Sequence, residues 1–187
     1  MAMTRTMART ALSALTWAAA SLVAAQPVTV IEYYYPLLDH YFITSLQPDI
    51  DALDSGHFFG WSRTGLTFQA FADQASAGPG ASPVCRFYIP PPADSHFFSA
   101  SPAECAATKA RFPQFIVESD DVMRMTLPDA TNGTCPVGTV PVYRLWNQRI
   151  DSNHRYVTDT ALRTAMIARG YLPEGYGDDG VAMCGPQ

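Results

Sequence analysis

Lysine is nearly missing from this chain: Lys109 is the only one, and the arginines beyond the N-terminus are scattered from Arg63 to Arg169. A surface without a clustered basic face does not grip phosphate backbones, which excludes nucleic acid as a partner. No apolar run after residue 23 is long enough to cross a bilayer, which takes about 20 residues. The four cysteines never stand at the short spacing that structural zinc sites use. Hydrolytic motifs are missing too. Ser62, within Gly60–Gly65, lacks the Gly-x-Ser-x-Gly spacing of a nucleophile elbow, and no His-Glu-x-x-His occurs. The adjacent acids Asp120-Asp121, and Glu174 with Asp178-Asp179, read as solvated turns. Gly177–Gly180 lacks the alternating ligands of a helix-loop-helix calcium site. Asn132-Gly133-Thr134 reads either as an Asn-Gly turn or, in a eukaryotic source, as a glycosylation acceptor.

What is present begins with an export signal. Arg5 and Arg9 precede an apolar stretch, Ala11–Val23, that ends in Val23-Ala24-Ala25, the layout of a secretory signal peptide cleaved after Ala25. No cysteine near that point would carry a lipid anchor, and no membrane span is expected once the leader is gone. Removing 25 of 187 residues leaves 162, enough for one domain with a real core, 26–187. That part carries 10 basic and 17 acidic residues, a net charge of about −7, and all four cysteines. An even cysteine count in an oxidising compartment, secreted or periplasmic, predicts two disulfides. Of the three possible pairings, Cys85 with Cys105 and Cys135 with Cys184 is favoured, because each closes a local unit worth ~3 to 4 kcal/mol.

The same order of features occurs three times, over about 28–74, 84–127 and 140–184: an aromatic strand, a polar loop, His on a second strand, a helix-like stretch and a closing strand. His40, His96 and His154 mark the copies, 56 and then 58 positions apart. Aromatic and β-branched runs such as Val28–Ile31 and Val84–Tyr88 predict strands. Ser101-Pro102-Ala103-Glu104 predicts a capped helix start, and Leu162, Met166 and Ile167 space a helix over Thr160–Ala168. Ala75–Pro83 reads as a surface loop. Units that cannot bury a hydrophobic face alone must share a core. The fold class expected is therefore mostly β with short helices (α+β), three imperfect repeats in one pseudo-threefold closed domain, trefoil-like or small-propeller-like.

The recurring aromatic strand, Asp-His or Asn-His, aromatic and hydroxyl residue, followed by Gly60-Trp61 or Gly170-Tyr171 with Glu174-Gly175, resembles the secreted tandem-repeat family catalogued as domain of unknown function 5648. The resemblance covers nearly all of Val30–Cys184. The second unit departs from it, with Phe115 and Glu118-Ser119 where the others carry the glycine-containing elements. The resemblance implies an exported repeat domain found beside other extracellular modules, with no established catalytic residues.

Three repeated imidazoles can do three things: fix loops by bonding carbonyls or the nearby Asp39, Asp94 and Asp151, line a ligand pocket, or jointly hold zinc or copper. The first is favoured, and no metal or other cofactor is expected. Sugar rings stack on flat aromatic faces while carboxylates take their hydroxyls, and tyrosine and tryptophan near loops are the residues able to stay exposed. The candidate ligand-binding residues are accordingly His40, His96, His154, Tyr35, Trp61, Trp146, Asp39 and Asp151. The leading reading is a non-enzymatic extracellular module binding a glycan or cell-surface component. A secreted hydrolase using Asp151, His154 and Glu174 stays open, as does a structural or adhesive role.

Overall fold

The computed structural model describes residues 27–78 and 80–187; the signal peptide read at residues 1–25 lies outside them. In chain order the elements are β1 (Pro27–Tyr35), β2 (His40–Thr44), α1 (Gln47–Asp54), β3 (Ser62–Phe71), α2 (Gln74–Ala77), β4 (Ala81–Pro83), β5 (Cys85–Ile89), β6 (Ser95–Ser99), α3 (Pro102–Arg111), β7 (Ile116–Ser119), β8 (Arg124–Thr126), β9 (Thr139–Trp146), β10 (His154–Val157), α4 (Thr160–Ala168), β11 (Leu172–Glu174) and β12 (Val181–Pro186). The described residues are mostly antiparallel β with four short helices. Three strand triplets, β2-β1-β3, β6-β5-β7 and β10-β9-β11, each place the earliest strand in the middle. In each, a helix connects the second strand to the third.

The expected trefoil-like or propeller-like closure is corrected: among the described residues there is no closed barrel, but a nine-stranded sheet and a separate three-stranded one. The cause is the pairing of the connecting strands. β12 lies between β9 and β8, and β8 in turn touches β3, so the first and third triplets merge into one sheet. The second triplet pairs only within itself. The stretch Ala75–Pro83, expected as plain loop, contains most of α2 and all of β4, which pairs with β8 through Ser82 and its neighbours. The predicted helices stand where their caps place them. Ser101 Oγ accepts from the Glu104 amide, and Asp159 Oδ1 accepts from the Leu162 amide at 2.7 Å. Among the described residues no helix is long and apolar enough to cross a membrane.

Both disulfides pair as expected, Cys85–Cys105 tying β5 to α3 and Cys135–Cys184 tying the 127–138 segment to β12. The His-bearing strands of the three triplets meet one another. The Asn153 side chain accepts from the Tyr41 amide at 2.8 Å and donates to the Tyr41 carbonyl at 3.0 Å and to Ser95 Oγ at 2.9 Å, so one buried amide joins all three. Tyr156 Oη accepts from the Phe98 amide and donates to its carbonyl, fixing β10 on β6. Arg155 makes a two-pronged ion pair with Glu32 at 2.8 and 2.9 Å, both side chains being at most 7% exposed, and lies over the Tyr41 ring.

Removing one partner of a buried pair leaves an uncompensated charge, typically costing about 3–5 kcal/mol. Glu32→Gln is expected to lower stability by about that amount in a urea titration, whereas Arg63→Gln at the exposed Asp54 pair should leave the midpoint nearly unchanged.

Candidate functional site

A cavity of about 340 Å³ opens between the first triplet with α1 and the separate β6-β5-β7 sheet. Its polar wall follows from strand periodicity. In β5 the alternation buries Cys85, Phe87 and Ile89 and turns Arg86 and Tyr88 to the other face. Their antiparallel partners, Phe98 opposite Arg86 and His96 opposite Tyr88, share that face. On the other flank the register slips between Phe87↔Val117 and Arg86↔Ser119, leaving Glu118 as the extra residue of a bulge, a device that re-aims a side chain. The Glu118 carboxylate reaches both Arg86 Nε (2.8 Å) and His96 Nε2 (3.2 Å). The contact with Nε is an ion pair without the alignment of a hydrogen bond.

The opposite wall comes from the first triplet and its helix. Asp49, near the start of α1, accepts from Thr44 Oγ1 at 2.7 Å and from Arg86 Nη1 at 2.6 Å, so the guanidinium bridges two elements. Phe42 packs against the His96 ring at 4.7 Å and under the Arg86 guanidinium at 5.7 Å. Trp61 meets Phe42 edge-on and stacks on Tyr35, with centroids 5.4 Å apart. Gly60, at φ +91°, makes that stack possible, since a Cβ there would sit 2.5 Å from the Tyr35 ring. Half-exposed Phe58 completes the apolar side. At the rim Asp94 holds a left-handed backbone, φ 46°, from which its carboxylate accepts the Tyr88 hydroxyl at 2.7 Å.

Charge follows from these contacts. The hydrogen bond to Asp94, with burial, pushes the Tyr88 hydroxyl up to about 12, so it stays protonated and donates. Burial pulls Glu118 upward, but the bond from His96 and the charges of His96 and Arg86 overcome it, leaving the carboxyl below its ordinary range. The carboxylate is thus ionised at neutral pH.

Of the sequence-predicted residues, His96 and Trp61 line the cavity and Tyr35 supports Trp61 from behind. The others lie apart from it. His40 is fully buried, with Nδ1 3.3 Å from the Asp94 carbonyl and Nε2 3.4 Å from Asp151. Asp39 and Asp151 bind Arg149, and Asp39 also takes Arg169 and the Tyr34 hydroxyl. Trp146 donates through Nε1 to Ser152 at 3.0 Å. The histidines therefore do not converge, and among the described residues no three His, Cys, Asp or Glu side chains are placed to hold a metal ion. The Asp151-His154-Glu174 arrangement considered for hydrolysis is not assembled: Glu174 stands 3.1 Å from His154, but Asp151 pairs with His40 instead.

Arg86, Glu118, Asp49 and Tyr88 escaped sequence reasoning as site residues, and Asp94 was read there only as a partner of a loop-fixing histidine. One signal was present, an arginine two positions before an aromatic in both Arg86-Phe87-Tyr88 and Arg144-Leu145-Trp146. Arg144 indeed heads a second constellation of the same kind. Its Nη1 and Nη2 donate to Glu104 at 3.0 and 2.7 Å, its Nε lies 3.3 Å from Glu174, and Phe97 packs against both its guanidinium and the His154 ring. Here arginine and histidine are both buried.

The model of a family described as a domain of unknown function (DUF5648) matches residues 29–181. The chain belongs to that family. No curated protein and no solved structure matches it. The DUF5648 match encloses every cavity residue from Phe42 to Glu118, together with His40, His96 and His154.

Burial pushes His154 below its ordinary value, as does the Arg144 charge, against the pull of Glu174. His40 is likewise lowered by burial. A histidine kept neutral in the fold costs stability as soon as the unfolded chain can protonate, so stability falls as pH drops below about 6.5. Glu104, Glu118 and Glu174, held below their ordinary range, add a further loss when pH falls below about 4. Melting temperature measured against pH should therefore be level near neutrality and decline in two stages on acidification, and His154→Gln should flatten the first.

Proposed function

We propose that this chain is a secreted or periplasmic, non-enzymatic binding module whose ligand is a glycan or a glycan-bearing cell-surface component, taken up in the Arg86–Trp61 cavity. The observation that carries the reading is a concave site with an aromatic wall of Phe42, Phe58 and Trp61 facing carboxylates and a guanidinium. A sugar ring offers one apolar face and a rim of hydroxyls, and this pairing of surfaces suits both. The two disulfides are compatible with an oxidising compartment. The same reading treats the domain as three related units, supported by the triplet order that recurs and by the Arg-carboxylate-His-Phe constellation that recurs at two junctions. The third junction carries the Glu32–Arg155 pair instead, so one binding site per chain is expected rather than three.

Binding of the purified chain to a broad glycan array, followed by calorimetry on the hits, tests this. Saturable binding at one site per chain is expected, weakened about tenfold or more by Trp61→Ala and unchanged by Trp146→Ala. Binding to no glycan, or equal binding by Trp61→Ala, would sink the reading.

A further inference from the structure

We infer that the ligand bears a free amine, and that the cavity favours amine-bearing sugars while rejecting acidic ones. This rests on the glycan reading of the same site and narrows its substrate class. Three carboxylates line the cavity, Asp49, Asp94 and Glu118, against one guanidinium, Arg86, a formal balance of −2 before His96 is counted and still −1 with a positive charge on it. The balance of hydrogen-bonding atoms is equally one-sided. Asp49 takes both its bonds at Oδ2, Asp94 takes its one at Oδ1, and Glu118 meets Arg86 and His96 at Oε2. The second oxygen of each carboxylate accepts nothing from the described residues. Against these three acceptors stands one terminal nitrogen of the arginine, Nη2, whose two N–H groups donate to no described residue; Nε also lacks an aligned hydrogen bond but is buried.

The sealed constellation around Arg144 explains how this opening arises. Glu104 reaches both terminal nitrogens of Arg144. Asp49 occupies the corresponding place beside Arg86 with a side chain one methylene shorter, and engages Nη1 alone. A ligand that satisfies these atoms supplies acceptors to Nη2 and donors to the three carboxylates. A ring hydroxyl provides such an acceptor. A protonated amine provides three donors and a positive charge in one group, and the faces of Trp61 and half-exposed Phe58 attract cations as well. A carboxylated sugar would instead meet like charge in a partly enclosed site, where the repulsion is poorly screened.

Calorimetry of the purified chain at pH 6 with three probes of matched length decides the matter: glucosamine oligomers, their N-acetylated forms, and galacturonic acid oligomers. The free-amine oligomer is expected to bind about tenfold or more tightly than the acetylated one. Its affinity should fall as salt rises from about 50 to about 500 mM, and the galacturonic acid oligomer should give no binding. Asp94→Asn and Asp49→Asn should each bring the amine-to-acetyl affinity ratio toward one, and thermal melts would check that both variants fold. Equal or tighter binding of the acetylated or acidic oligomer overturns the charge selectivity and leaves the glycan reading standing. If these probes and every glycan on the array fail to bind, the glycan reading itself is lost.

Discussion

Arginines taken out of water need carboxylates brought to them, and in this chain those carboxylates come from elsewhere in the sequence. Arg155 on β10 meets Glu32 on β1 across 123 residues, with almost no solvent on either side. Arg144 on β9 meets Glu104 on α3, and Arg86 on β5 meets Asp49 on α1. Each pairing holds one strand triplet against another. The desolvation of a buried guanidinium is tolerable only when its fork is matched, so wrong arrangements of the triplets leave buried charge unpaired. Phe42 under Arg86 and Phe97 under Arg144 place apolar surface at the same junctions, and packing and charge matching select the same arrangement.

The junctions around Arg144 and Arg86 differ through small changes in otherwise corresponding contacts. Around Arg144 the longer Glu104 side chain closes both prongs of the guanidinium, and the group disappears into the core. Around Arg86 the shorter Asp49, the Trp61-Tyr35 stack and the bulged Glu118 leave an opening lined by unused acceptor atoms. Arg144, held at both terminal nitrogens, is a buried fastening, whereas Arg86, held at one of them, leaves Nη2 without a partner among the described residues.

His40 ties the cavity to the centre of the molecule. The carbonyl of Asp94, whose carboxylate stands at the cavity rim, lies against His40 Nδ1, and Asp151 lies against Nε2. A neutral imidazole can donate to only one of two flanking acceptors, while burial resists the charged form that would satisfy both. The repeated histidine is thus a structural post at this position and a wall of the cavity at position 96, the outcome depending on whether a neighbouring triplet covers the ring.

Local chemistry was readable directly from the letters. The aromatic and β-branched runs became strands, Ser101 and Asp159 became helix caps, and the two local cysteine pairs became disulfides, because each depends on residues near in sequence or on a short loop closure. The position of the histidines on the second strand of each hairpin was readable for the same reason. The sheet plan was not, since the merging of two triplets rests on β8 and β12, short strands whose partners are distant. Nor was most of the cavity: Asp49, Arg86 and Glu118 are unremarkable surface charges by sequence, and only the packing of α1 against β5, with the register slip at Glu118, brings them within bonding distance. Sequence alone determined the periodic, short-range features of this protein. How far the Arg86 junction differs from the buried Arg144 junction was decided in the tertiary structure, by the reach of one side chain and by what packs over it.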